Sequence, residues 1–114
     1  MFSRPMSIPG LSAAAAAAAQ ATPFADLFSS RRSRPSVARA RQLAVYLHHV
    51  ALGASVSACA RVFARDRATV RHACATIEDL RDDPSFDAAA SRLESALAAQ
   101  RDMICALLGQ GGAQ

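Results

Sequence analysis

Apolar positions recur every three or four residues along four stretches of the chain, with turn formers between them. From Val37 onward, Ala40, Leu43, Ala44, Leu47 and Val50 or Ala51 predict a helix over about 38–52, closed by Gly53 as its C-terminal cap. Val56, Cys59, Ala60 and Phe63 share one side of a short helix over 55–63. Only Ala64 and Arg65 then precede Asp66, whose carboxylate suits it to cap the free amides of a further helix over about 67–82. That helix carries its stripe at Val70, Ala73, Cys74, Ile77 and Leu80. Two helices joined by so tight a turn cannot run antiparallel, so they are expected to cross steeply as a helix-turn-helix with the first turn of the second helix exposed.

Beyond Pro84, the positions Phe86, Ala89, Ala90, Leu93, Leu97, Ile104 and Leu107 or Leu108 predict a last helix over about 85–108, roughly 36 Å long at 1.5 Å per residue. Its first half is expected to pack through Phe86, Ala90 and Leu93. Apolar surface is left over from Gln100 to Leu108, either as a frayed end or as a surface for a second copy of the chain or another protein. The fold class is therefore all-α, a small helical bundle with a helix-turn-helix and a long C-terminal helix.

Residues 1–30 differ in character. Pro5, Pro9, Gly10 and Pro23 surround the alanine run Ala13 to Ala19, which predicts a transient helix in an otherwise disordered tail, with Phe24, Leu27 and Phe28 as a frayed lead-in. The segment imitates a secretory signal, with Arg4 near the front and Ala19-Gln20-Ala21 as a cleavage site. Alanine is a weak membrane former, however, and the two early prolines interrupt the approach to the run. No stretch reaches the ~18–20 strongly apolar residues that span a bilayer, so a cytoplasmic, nucleoid-associated protein is expected. The division is then a tail over 1–30, a domain over 31–97 and an extension with a flexible Gly/Gln end over 98–114.

Charge sharpens the picture. All thirteen basic residues are arginine. Residues 30–71 hold nine of them against Asp66 alone, whereas residues 72–114 hold three against seven acids. A basic half beside an acidic half implies a polyanionic partner for the first half only. Arg31-Arg32-Ser33-Arg34 forms a basic arm that Pro35 is expected to hold extended. The recognition turn offers Arg65, Arg67, Ala68, Thr69 and Arg71. Cys59, Cys74 and Cys105 are odd in number, lack a C-x-x-C pair and fall on apolar faces, so they read as free thiols of a reducing compartment; zinc held by Cys59, Cys74 and a histidine is the sharper alternative. His48 and His49 read as surface or rim residues, and His72 as a helix-surface residue near a phosphate. Glu78, Asp79, Asp82 and Asp83 read as a solvated helix end before a proline stop.

The order of arm, then Arg39-Ala40-Arg41-Gln42-Leu43-Ala44-Val45-Tyr46-Leu47, then Ser55 to Phe63, then Arg65 to Cys74 and Ile77 to Arg81 resembles the C-terminal DNA-binding domain of the bacterial replication initiator DnaA. That family's pattern, approximately G-R-D-H-T-T-V-x-H-A, is matched at Arg65, Asp66, Thr69, Val70, His72 and Ala73. No G-x-x-x-x-G-K-[ST] phosphate loop occurs, so the resemblance implies the DNA-binding domain standing alone, with double-stranded DNA as partner, no nucleotide and no other cofactor. It further implies phosphate contacts for Arg41 and Gln42 and a minor-groove arginine from the arm at Arg32 or Arg34. Contacts to base methyls and backbone are implied for Val56 and Ser57, where the family more often has Leu-Pro. Major-groove reading is implied for Asp66, Arg67, Ala68 and Thr69.

Three departures bear on specificity. Arg67 stands where the initiator has His, Ala68 where it has Thr, and Ala64 where glycine is usual in a turn that is one residue shorter. The initiator's own box is therefore not assumed as the target. Three function classes follow: a sequence-preferring DNA-binding module in replication or transcription, an adapter that binds another protein through its C-terminal helix, and an enzyme. The last is disfavoured because no nucleophile and base pair, metal cluster or phosphate loop can be assembled.

Overall fold

The computed structural model describes residues 35–112 together with Ser12, Ala15 and Ala16. Four helices make up the long span: α1 Pro35–Val50, α2 Val56–Phe63, α3 Arg67–Leu80 and α4 Pro84–Gly112, and no strand occurs among the described residues. The expected all-α class and the order of its elements are observed.

Helix α1 begins at Pro35 itself rather than at Val37. A proline's missing amide is no loss in the first turn, where amides have no intrahelical acceptor, and its fixed φ already suits a helix; the extended preference it imposes falls on the residue before it. At the other end Gly53 takes the left-handed conformation with φ 79°. The Ala54 amide reaches back to the His48 carbonyl at 3.2 Å. His49 Nδ1 donates to the Ala54 carbonyl at 2.6 Å, tying the turn to the helix it closes.

The core forms around α1. Residues 43–48 are all buried, because α3, α2 and α4 pack on different sides of this helix. A single apolar stripe predicts Val50 or Ala51 inward; Ala51 packs on the core, whereas Val50 faces out and Leu52 takes the buried place beyond the helix. His48, expected at the surface or rim, is fully buried instead. Its ring meets Phe63 edge-on with centroids 5.8 Å apart, and its Nδ1 lies 3.4 Å from Ser12 Oγ. The physical reason is that a helix with neighbours on several sides has no solvent face to offer at that position. Ser12, Ala15 and Ala16 fall in and beside the run predicted as a transient helix; they are helical, with Ala15 and Ala16 against the core. The remaining expectations for the first thirty-odd residues, including the arm, lie outside the described residues.

Helix α4 opens at Pro84, again a first-turn proline, with Asp83 accepting from the Ser85 amide at 3.3 Å and its hydroxyl at 3.1 Å. Its 29 residues make it about 43 Å long, and it continues through Gly109 and Gly111 where the sequence suggested an end. Ala90 and Leu97 are buried, with Phe86 and Leu93 packed against the core. Arg101 Nη1 donates to the Ala51 carbonyl at 2.9 Å, fixing the middle of α4 to the end of α1. Past that tether Met103 and Leu107 are each 64% exposed, and Leu108 is also exposed. No described helix is long and apolar enough to cross a membrane.

The two halves of the bundle are joined by a polar network. Arg81, just past α3, donates to Asp87 Oδ1 at 2.6 Å, Glu94 Oε2 at 2.7 Å, Ser91 Oγ at 2.8 Å and Tyr46 Oη at 3.0 Å. Tyr46 in turn donates to Glu78 Oε2 at 2.9 Å. Burial first and the Glu78 carboxylate second push the Tyr46 phenol up to about 12, and the Asp87 carboxylate foremost raises Arg81 above its usual range. Glu78 and Asp83 thus have bonding roles, which a solvated helix end does not describe; Asp79 and Asp82 are exposed.

Candidate nucleic-acid interface

The turn between α2 and α3 is built by opposing local needs. Ser55 caps α2 by accepting from the Ala58 amide at 3.0 Å. Its far end closes at Ala64 with φ 54° and ψ 48°, the left-handed conformation in which a side chain's β-carbon crowds the following carbonyl. The strain expected from alanine at this glycine-favouring place is therefore present. Arg65 follows, and its Nη1 donates to the carbonyls of Phe63 at 3.2 Å and Ala64 at 3.0 Å, so part of this guanidinium secures the turn itself.

Asp66 caps α3 as expected, accepting from the Thr69 amide at 2.8 Å. The Thr69 amide, then the Thr69 hydroxyl and more weakly the Arg71 charge hold the Asp66 carboxyl below its ordinary value. Two of the implied base readers are thereby engaged with one another, which leaves the methyl of Thr69 and the side chains of Arg67 and Ala68 as the unburdened part of the first turn. Arg67, Ala68, Thr69, Arg71 and His72 are all exposed.

Packing of α1 against α3 brings a second group to the same end. Arg41 and Gln42 of α1 line a hollow together with Arg65 and Thr69, over an apolar floor of Ala38, Val45, Val70 and Ala73. The α1 pair implied to touch phosphate therefore lies beside the recognition turn, across a cleft that neither helix forms alone. Val56 and Ser57 are half-buried at the start of α2 and do not line this hollow. Arg32 and Arg34 lie outside the described residues. Arg61 went unremarked in the sequence, yet it is exposed one turn beyond Ser57 on the same side of α2, a position that spacing by four would have found.

Cys59 is buried, and burial pushes its thiol up to about 11; Cys74 and Cys105 are half-buried, with Cys74 also raised chiefly by burial. No group of three or more His, Cys, Asp or Glu residues suited to a metal ion occurs among the described residues. No solved structure matches the chain significantly. The model of the bacterial DnaA protein helix-turn-helix family, however, matches residues 15–77, and the span runs from the packed Ala15 and Ala16 through the hollow and the capped recognition turn to the buried Ile77. With more than half of its length matched, this chain belongs to the bacterial DnaA helix-turn-helix family.

Proposed function

We propose that the protein binds double-stranded DNA through this helix-turn-helix, with a modest sequence preference and no catalysis, in the regulation of replication initiation or of transcription. The observation that carries this reading is the convergence of Arg41, Gln42, Arg65 and Thr69 on one hollow beside the exposed Arg67, Ala68 and Arg71. Arginines and amide side chains around an apolar floor suit a sugar-phosphate strand, while the adjoining first turn of α3 is free to enter a major groove. In this reading Arg41 and Gln42 hold phosphate, Arg67 supplies a donor fork for a guanine edge, Ala68 and Thr69 offer methyls to thymine, and the arm at Arg32 and Arg34 follows the minor groove. A protein so placed works at the nucleoid of a cytoplasm.

The test is an anisotropy titration against a random duplex and a duplex carrying the initiator box, at two salt concentrations, with and without ATP. Binding is expected to weaken steeply with salt because each neutralised phosphate releases counterions, and ATP is expected to change nothing. Absence of binding to both duplexes at low salt overturns the proposal. The second reading, an adapter or self-associating protein acting through α4, is favoured by the outward Met103, Leu107 and Leu108 and becomes the leading one in that event.

A further inference from the structure

The outward face of α3 changes sign along its length. At 100° per residue, Arg67, Ala68, Arg71, His72, Ala75, Glu78 and Asp79 fall on one side of the helix, and all seven are exposed. Asp82, just past the helix end, is exposed as well. The first part of this face is basic and small, whereas Glu78 and Asp79 begin roughly 10 Å beyond Arg71 at 1.5 Å per residue. A recognition helix laid flat along a major groove would carry those carboxylates against the phosphates that flank it. One tipped in by its N-terminal end keeps them outside.

One of these acids is also held in place. Glu78 accepts from Tyr46, which accepts from Arg81, itself bonded to Asp87, Glu94 and Ser91 of α4. The Glu78 carboxylate thus gives up its bond from Tyr46 of α1 if it swings away from an approaching phosphate. Asp79 and Asp82 stand beside it at the same end of α3. From these observations we propose that this acidic end sets the depth and tilt of DNA engagement. It confines the contact surface of α3 to the stretch from Arg67 to Ala75 and disfavours flat, sequence-independent seating of the helix. The acids then act on specificity by exclusion: they touch no base, and they penalise poses in which the arginines meet phosphates without the first turn reading a groove.

This inference rests on the DNA-binding reading, and the experiment separates the two. Asp79→Asn and Asp82→Asn are compared with the charge-matched Asp102→Asn, which removes one acid from α4 far along the chain. The first two residues are exposed and make no side-chain bond among the described residues, so circular dichroism is expected to match the parent chain. Each chain is titrated with a random 20-base-pair duplex at two salt concentrations. The parent chain's binding at low salt tests the DNA reading itself, and its absence overturns both proposals. Given binding, Asp79→Asn and Asp82→Asn are each expected to raise random-duplex affinity about threefold at low salt and to steepen its salt dependence as further phosphates come into reach. Asp102→Asn is expected to leave both quantities unchanged. Equal effects from all three variants would assign the change to net charge, and no effect from the first two would show the acids to be remote from DNA; either result overturns the inference.

Discussion

Replacing Arg81 by methionine keeps the aliphatic stem and removes every hydrogen bond by which the end of α3 holds α4. The magnitude follows from how wet each bond is. The Asp87 side chain is 49% exposed, so its pair with Arg81 contributes at the surface level of about 0.5 kcal/mol. Glu94 is 25% exposed opposite a guanidinium that is 16% exposed, and this better-shielded, charge-assisted bond contributes about 1.5 kcal/mol. The bonds to the Tyr46 and Ser91 hydroxyls contribute about 0.5 kcal/mol each, since both hydroxyls are able to turn toward another partner. Arg81→Met is therefore expected to cost about 3 kcal/mol in urea unfolding followed by circular dichroism, with Glu94 left without its cation. A double-mutant cycle with Glu94→Gln is expected to give a coupling of about 1 kcal/mol. Because the first turn of α3 is capped independently by Asp66, DNA affinity well below the unfolding transition is expected to stay within a factor of two. A loss under about 1 kcal/mol, or an additive cycle, would show that the bundle does not depend on this joint.

Ala64→Gly is expected to stabilise the fold by about 1 kcal/mol, because it relieves a side chain held at φ 54°; a thermal melt that does not rise would count against strain at this turn. Arg41→Ala is expected to weaken binding to all duplexes and lower the salt slope by about one unit, whereas Arg67→Ala is expected to change the ranking of sites in a selection from random sequence. Equal weakening everywhere by both would refute base reading by Arg67. Burial first and the neighbouring His49 second hold His48 below its ordinary value, so the fold binds fewer protons there than the unfolded chain. Stability from this group is full above about pH 6.5 and is lost as pH falls through the depressed value. Urea midpoints at pH 7.5 and 5.5 are expected to separate in the parent chain and to converge in His48→Leu.

Much of the architecture is legible in one dimension. Helix existence follows from spacing, and the ends of α2 and α3 follow from Ser55 and Asp66, whose side chains satisfy amides only a few residues away. The family pattern around Arg65 to Ala73 and the basic first half are likewise properties of order and composition. The tertiary structure decided what depends on which neighbours meet. His48 is buried because α1 is covered on several sides, which a single-stripe reading of periodicity does not anticipate. Arg41 and Gln42 share a cleft with Arg65 and Thr69 only because α1 packs on α3. The partners of Arg81 range from 6 to 35 residues away along the chain, so their joint action on its guanidinium is written in no local motif. Local hydrogen bonds and periodicity are set by residues within a turn or two of one another; clefts and buried polar networks are set by helix packing, which only the folded chain specifies.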